Sequence, residues 1–194
     1  MLHGYGSNEV DLFMLQDQLP NDYFIIALRA PLSLSFGGYA WYPIAFMPDG
    51  SVQINAKDMH HAAHLVIENM NYLLRYFGFN DKANLLGFSQ GSILSYLLLF
   101  LFPEHFKKTV AFSGYIHEPA MPEIPQGDTS DLKIFASHGV ADEIIPVSLA
   151  RQIPSVLSRH QIKHVYKEYD SGHYLIPENI KDASAFLENK DQLL

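Results

Sequence analysis

Short apolar runs of strand length alternate along this chain with longer segments whose apolar residues recur at helical spacing, and that alternation restricts the fold more than any other feature. Residues 23–28, 83–86, 110–113, 132–137 and 164–169 read as strands. Between them, Leu12, Phe13, Leu15 and Leu19 follow a cap at Ser7 or Asn8 and end at Pro20. Residues 55–77 form the clearest helix. Asn55 is its cap, Asp58 lies in its first turn, Met59, Ala63, Val66, Ile67, Met70, Leu74 and Phe77 form one face, and Gly78 is the stop. Residues 93–102 are the most apolar run of the chain and end at Pro103. Residues 147–160 have helical character that Pro154 should kink or split, and 178–190 read as a closing amphipathic helix. Strands separated by helices pair in parallel, so the expectation is an α/β fold: a mostly parallel sheet with helices on both faces.

At 194 residues, with no linker, repeat or low-complexity stretch, the chain fits one domain, 1–194. One feature of its start is awkward. Met1-Leu2-His3-Gly4 begins where a strand-to-helix turn normally begins, so the strand feeding that turn is expected upstream, missing or clipped; an absent central strand would leave an unfilled groove. Residues 30–50 read as one long loop, with Pro31, Gly37-Gly38, Pro43 and Pro48 among Phe36, Tyr39, Trp41, Tyr42 and Phe46. Loops of that length in compact domains usually serve function, and this one is expected to border a pocket. Residues 118–131 form a second, Pro-rich loop.

Composition removes several classes of function. A formal charge of −8 with both signs interspersed argues against nucleic acid or an anionic membrane as main partner. The single adjacent basic pair, Lys107-Lys108, reads as a solvated helix end. Zero cysteines exclude disulfides, a thiol nucleophile and thiolate-bound metals, and fit a cytoplasmic location. The run 93–102 is too short to span a bilayer, so no stable membrane insertion is expected.

Gly87-Phe88-Ser89-Gln90-Gly91 lies between a strand and a helix, the setting of a nucleophilic serine on a sharp turn. About one chain in fifteen of this length carries Gly-x-Ser-x-Gly by chance, so the flanking elements give the motif its weight. A serine hydroxyl needs a base within hydrogen-bond reach and an acid to orient that base, in the order Ser, Asp or Glu, His on this kind of sheet. Asp142 follows the strand 132–137 and His173 follows the strand 164–169, so both fall with Ser89 at the carboxyl edge. Glu143 and Asp170 are rival acids. His3 and His138, each before a glycine, read as turn-shaping residues. The backbone amides of Tyr5 and Gln90 are the candidate donors to an oxyanion, with side chains free to vary. His60 and His64 lie one helical turn apart, but His61 stands where a zinc-protease helix needs glutamate, and no metal is expected.

With these pieces in place, the chain resembles the phospholipase/carboxylesterase family of small α/β-hydrolases, which includes the acyl-protein thioesterases. The resemblance rests on residues 2–6, on Phe88-Ser89-Gln90 within the turn, on Phe112-Ser113-Gly114, on His138-Gly139 with Asp142 and Pro146, and on Gly172-His173. It implies a hydrolase without a large cap domain, ester or thioester substrates, no cofactor and frequent homodimers. It also implies Tyr5 and Gln90 as oxyanion donors and Trp41 within the segment lining the acyl site. The expected activity is cleavage of carboxylic esters of short-to-medium acyl chains. Lysophospholipase or acyl-protein thioesterase action is the alternative, and a non-catalytic binding module of the same fold is the reading from a different class.

Overall fold

A computed structural model of the chain describes residues 1–48 and 52–188. In chain order the elements are α1 (Glu9–Phe13), β1 (Leu32–Ser33), β2 (Tyr39–Ala40), β3 (Ile44–Phe46), β4 (Val52–Ile54), α2 (Ala56–Phe77), β5 (Ala83–Phe88), α3 (Gln90–Leu101), β6 (Phe106–Phe112), β7 (Lys133–Gly139), α4 (Val147–Ala150), α5 (Ile153–Arg159), β8 (Lys163–Tyr169) and α6 (Pro177–Leu187). Local chemistry accounts for several boundaries. The Asn55 side chain accepts from the Lys57 amide at 2.9 Å, and Gly78 closes α2 at φ 76°, in the left-handed region that favours glycine. Pro154 splits the 147–160 region into α4 and α5 by sitting at the second position of α5, where its missing N–H costs nothing. The expected helix after Asn8 is shorter than its apolar spacing suggests: α1 stops at Phe13 and a 3-10 turn, Gln16–Gln18, carries on towards Pro20. Lys190, in the expected closing helix, and residues 49 and 50 of the long loop lie outside the described residues.

β5, β6, β7 and β8 pair in that order, all parallel, and their residues alternate between two cores. Leu85, Ala111, Ile134 and Ala136 face the larger core with α2, α3 and α5. Leu86, Val110, Phe112 and Phe135 face a smaller one closed by Leu12 of α1 and Phe186 of α6. α3 is buried along its whole length, which explains why its sequence is apolar all round. This is the expected parallel sheet with helices on both faces.

Residues 23–28 depart from expectation. They form no strand: only Leu28 bridges, to Leu2, and the Phe24 side chain is 55% exposed. Leu2 in turn bridges Gly87 in parallel, so the sheet continues past β5 through a single residue. Between 23–28 and β5 lies an apolar groove of about 360 Å³, lined by Ile25, Val66, Met70, Leu74 and Leu85 among others. The strand-forming composition of 23–28 is real, but strands are stabilised by partners, and this segment has one ladder position. The long loop also differs from expectation, since it contains the two-stranded ribbon β1–β2 and the strand β3, which pairs with β4 just beyond it. Lys107 and Lys108 lie in β6, not at a helix end. Lys108 is buried and its Nζ donates to the carbonyls of Phe186 and Leu187 at the end of α6, at 2.9 and 2.7 Å.

Candidate active site

The order Leu28, Leu2, β5 across the sheet reverses the direction in which later strands are added, which creates a switch point between Leu2 and β5. Loops leaving the carboxyl ends of the two segments diverge there and leave a crevice. The turn 3–6 and Ser89 both follow these carboxyl ends, side by side.

Ser89 sits at φ 52°, ψ −118°, a backbone conformation that non-glycine residues rarely adopt. Its amide donates to Phe112 O at 2.9 Å and its carbonyl accepts from the Ile93 amide at 3.0 Å, so β6 and α3 hold it from both sides. The two flanking glycines are required by close approach. A Cβ on Gly87 would lie 2.6 Å from both Gly91 O and Ser95 Oγ, and one on Gly91 would overlap the Leu2 carbonyl. Phe88 packs its ring 5.1 Å from the imidazole of His173.

From Ser89 a continuous relay runs inward. The hydroxyl donates to His173 Nε2 at 2.8 Å, and His173 Nδ1–H donates to Asp142 Oδ2 at 2.7 Å. The carboxylate selects the tautomer in which Nε2 is free to take a proton. Asp142 is buried, and its Oδ1 accepts from the amides of Ile144 and Ile145 at 2.9 and 2.8 Å. Glu143 and Asp170, the rival acids, are exposed and bond to neither His173 nor Ser89. Tyr5 lies in the turn beside Ser89: a Cβ on Gly4 would sit 3.3 Å from Ser89 Cβ. Gln90 begins α3, where an amide has no intrahelical acceptor. Among the described residues, neither the Tyr5 nor the Gln90 amide donates to a backbone carbonyl.

Trp41 is buried, and its indole N–H donates to His3 O at 2.8 Å. The long loop is stitched to the turn: the Gly6 amide donates to Tyr39 O and the Tyr39 amide to Ser7 O. Exposed Phe36 and Phe46 each lie 6.1 Å from the Tyr5 ring, forming an apolar shelf beside the crevice.

Three features went unread in the sequence. His138 is no mere turn residue: its buried Nε2 lies 2.8 Å from Ile145 O and 3.2 Å from Asp142 Oδ2. His3 is buried, and burial lowers its pKa from the ordinary histidine value; the neutral ring donates from Nδ1 to Gly4 O at 2.8 Å and accepts the Ala30 amide on Nε2 at 3.1 Å. The Gln90 side chain, expected to be free to vary, is buried and bonded at both ends to the 41–42 backbone. The i to i+4 spacing of His138 and Asp142 was a visible hint; nothing local marks the other two. His60 donates to Ala120 O and His64 meets the edge of Phe102, and among the described residues no group of three or more His, Asp or Glu side chains is arranged to hold a metal ion.

A parallel sheet with a strained serine after one strand, and an aspartate and a histidine after two later ones, defines an α/β-hydrolase. Solved structures agree in fold. The carboxylesterase of Bacillus cereus superposes with a TM-score of 0.83 at 18% identity, covering 96% of this chain and 85% of that one. The carboxylesterase of Mesorhizobium loti gives 0.83 at 22%, over 97% and 86%, and esterase PE8 gives 0.80 at 26%, over 100% and 90%. Residues 1–190 match the model of the phospholipase/carboxylesterase family, and the chain belongs to that family of hydrolases. Acyl-protein thioesterase 1 of Eremothecium gossypii is 32% identical over 105 residues, a stretch that spans 53% of this chain and 45% of that protein.

Proposed function

We propose that this chain hydrolyses carboxylic esters of short-to-medium acyl chains through a covalent acyl-serine. The relay of 2.8 and 2.7 Å from Ser89 through His173 to Asp142 carries this reading. In the proposed cycle, His173 Nε2 takes the Ser89 proton as Oγ attacks the ester carbonyl, and Asp142 stabilises the imidazolium that forms. The amides of Tyr5 and Gln90 receive the negative oxygen of the tetrahedral intermediate. His173 then protonates the departing alcohol, and a water activated by the same imidazole releases the acid. None of these steps calls for a cofactor. The crevice wall backed by Trp41, with the shelf of Tyr5, Phe36 and Phe46, suits an apolar acyl group.

The thioesterase relative favours a second reading within the same chemistry, acyl-protein thioesterase or lysophospholipase action, since a thiolate or glycerol leaving group would use the same proton transfers. Among the described residues no helix is long and apolar enough to cross a membrane. The cysteine-free composition suits the cytoplasm. Exposed Phe24, Phe77 and Phe79, whose rings cluster at the end of α2, offer a face for a homodimer.

Purified protein should turn over p-nitrophenyl butyrate and react with a fluorophosphonate probe at Ser89. Ser89→Ala should cost on the order of a millionfold in kcat. Near-normal turnover by Ser89→Ala overturns the assignment, and a wild-type protein inert to ester, thioester, lysophospholipid and probe establishes a binding module instead.

A further inference from the structure

The oxyanion reading requires two amides from distant parts of the chain, Tyr5 and Gln90, to point at one oxygen. We propose that the side chains of Gln90, Trp41 and His3 form a clamp that sets the Tyr5 amide in register with the Gln90 amide, making all three positioning residues. The inference rests on the proposed hydrolase mechanism and adds to it the device that aligns its electrostatic site.

Gln90 acts twice. Its main chain supplies one amide, while its side chain crosses to the long loop, where Oε1 accepts from the Trp41 amide at 2.9 Å and Nε2 donates to Tyr42 O at 2.8 Å. A primary amide bonded to the two ends of a neighbouring segment in this way fixes both distance and rotation, as a ladder position in a sheet does. Trp41 passes that restraint on: its indole N–H donates to His3 O, and its ring lies 5.3 Å from the His3 imidazole. His3 then acts on the peptide that matters. The Tyr5 N–H belongs to the same planar unit as the Gly4 carbonyl and points the opposite way. His3 Nδ1–H donates to that carbonyl at 2.8 Å, so pulling on Gly4 O aims the Tyr5 N–H. The imidazole is held in turn by the Ala30 amide on Nε2. Every group in the chain of contacts is buried, so water does not compete for these bonds. A buried glutamine that served only packing would be a costly choice, because both its polar ends must find partners.

The clamp acts on the transition state and leaves ground-state binding alone, and the test separates the two. Trp41→Phe keeps an aromatic ring and removes the indole N–H; Gln90→Met keeps side-chain length and removes both bonds. Each is assayed for kcat and KM on p-nitrophenyl butyrate and for affinity towards a butaneboronic acid, whose adduct with the serine is tetrahedral. Trp41→Phe should lower kcat and boronate affinity by about tenfold each, the worth of one buried hydrogen bond, with KM within about twofold and the pH profile unmoved. The double variant should lose less than the product of the single losses, because both act through one clamp. Unchanged kcat and boronate affinity in a folded Trp41→Phe overturns the proposal, and so does a rise in KM alone, which would make Trp41 a substrate contact. Should Gln90→Met fail to fold, Trp41→Phe decides. A wild-type protein that neither hydrolyses the ester nor reacts with a fluorophosphonate rejects the hydrolase reading itself, whereas active wild type with indifferent variants rejects the clamp alone.

Discussion

Gly91 tolerates no side chain because α3 crosses directly over the Leu2 carbonyl, whereas Gly37 has nothing within 4 Å of where a Cβ would go. Gly91→Ala must therefore push α3 off the first segment of the sheet. It should cost several kcal/mol of unfolding free energy, while Gly37→Ala, strained only by its φ of 99°, should cost about 1 kcal/mol. Urea titration of the two variants makes the comparison, and equal losses would contradict it. Two further outcomes follow from the carboxylate. In the proposed cycle Asp142→Asn removes the charge that stabilises the imidazolium, and it should lower kcat about ten-thousandfold with little change in KM. His138→Phe should act mainly on stability, since it strips the donor from the buried Ile145 carbonyl and replaces the imidazole packed 3.2 Å from Asp142 Oδ2. A loss of about 1–3 kcal/mol is expected in urea unfolding, with a fall in kcat well short of that for Asp142→Asn.

α2 is the element most faithful to its sequence, because everything that bounds it lies within one turn of its ends: the Asn55 side chain on the Lys57 amide, and Gly78 in the left-handed conformation. Asn55→Ala should cost about 1 kcal/mol, read from the unfolding midpoint. β6 is the contrast. Its Lys108 is charged, so the chain reads as surface there, yet the strand's twofold alternation turns Lys107 outward and Lys108 inward onto the last carbonyls of α6. The ammonium satisfies acceptors at the negative end of that helix. Lys108→Met should therefore destabilise the protein by about 1–3 kcal/mol despite removing a buried charge, and a more stable Lys108→Met would refute that account.

Across the molecule, stability should follow pH in two windows. Burial lowers the pKa of His3 and of His117, so the unfolded chain takes up protons at these positions as pH falls below about 6.5 while the folded protein resists them. The unfolded state then binds more protons, and stability declines on acidification until the lowered folded pKa values are passed. His3→Gln should flatten the dependence of the urea midpoint on pH between 7 and 5.5, and an unaltered slope would exclude His3 as a contributor. A second decline belongs further down. The Arg151 guanidinium, bonded to both oxygens of Glu168 at 2.8 Å, holds that carboxyl below its ordinary value, so its contribution is present above the ordinary glutamate range and is lost as pH falls through the lowered one.

Strand-and-helix alternation, the caps of α2, the split at Pro154 and the serine turn with its two glycines were all written in stretches of a few residues, because steric limits on φ and first-turn hydrogen bonds depend on near neighbours. The order Ser89, Asp142, His173 was legible for the same reason, each residue being marked by the strand just before it. Contacts between distant positions were not legible. Residues 23–28 carry strand composition without a strand, since a strand depends on what lies beside it; Lys108 meets its acceptors 78 and 79 residues away. The Gln90 side chain reaches across 49 and 48 residues to Trp41 and Tyr42, and His138 joins the Asp142 carboxylate in a buried pocket. A side chain's own chemistry sets which partners it can accept, but burial and proximity select among them, and those exist once the sheet and its helices have closed on each other.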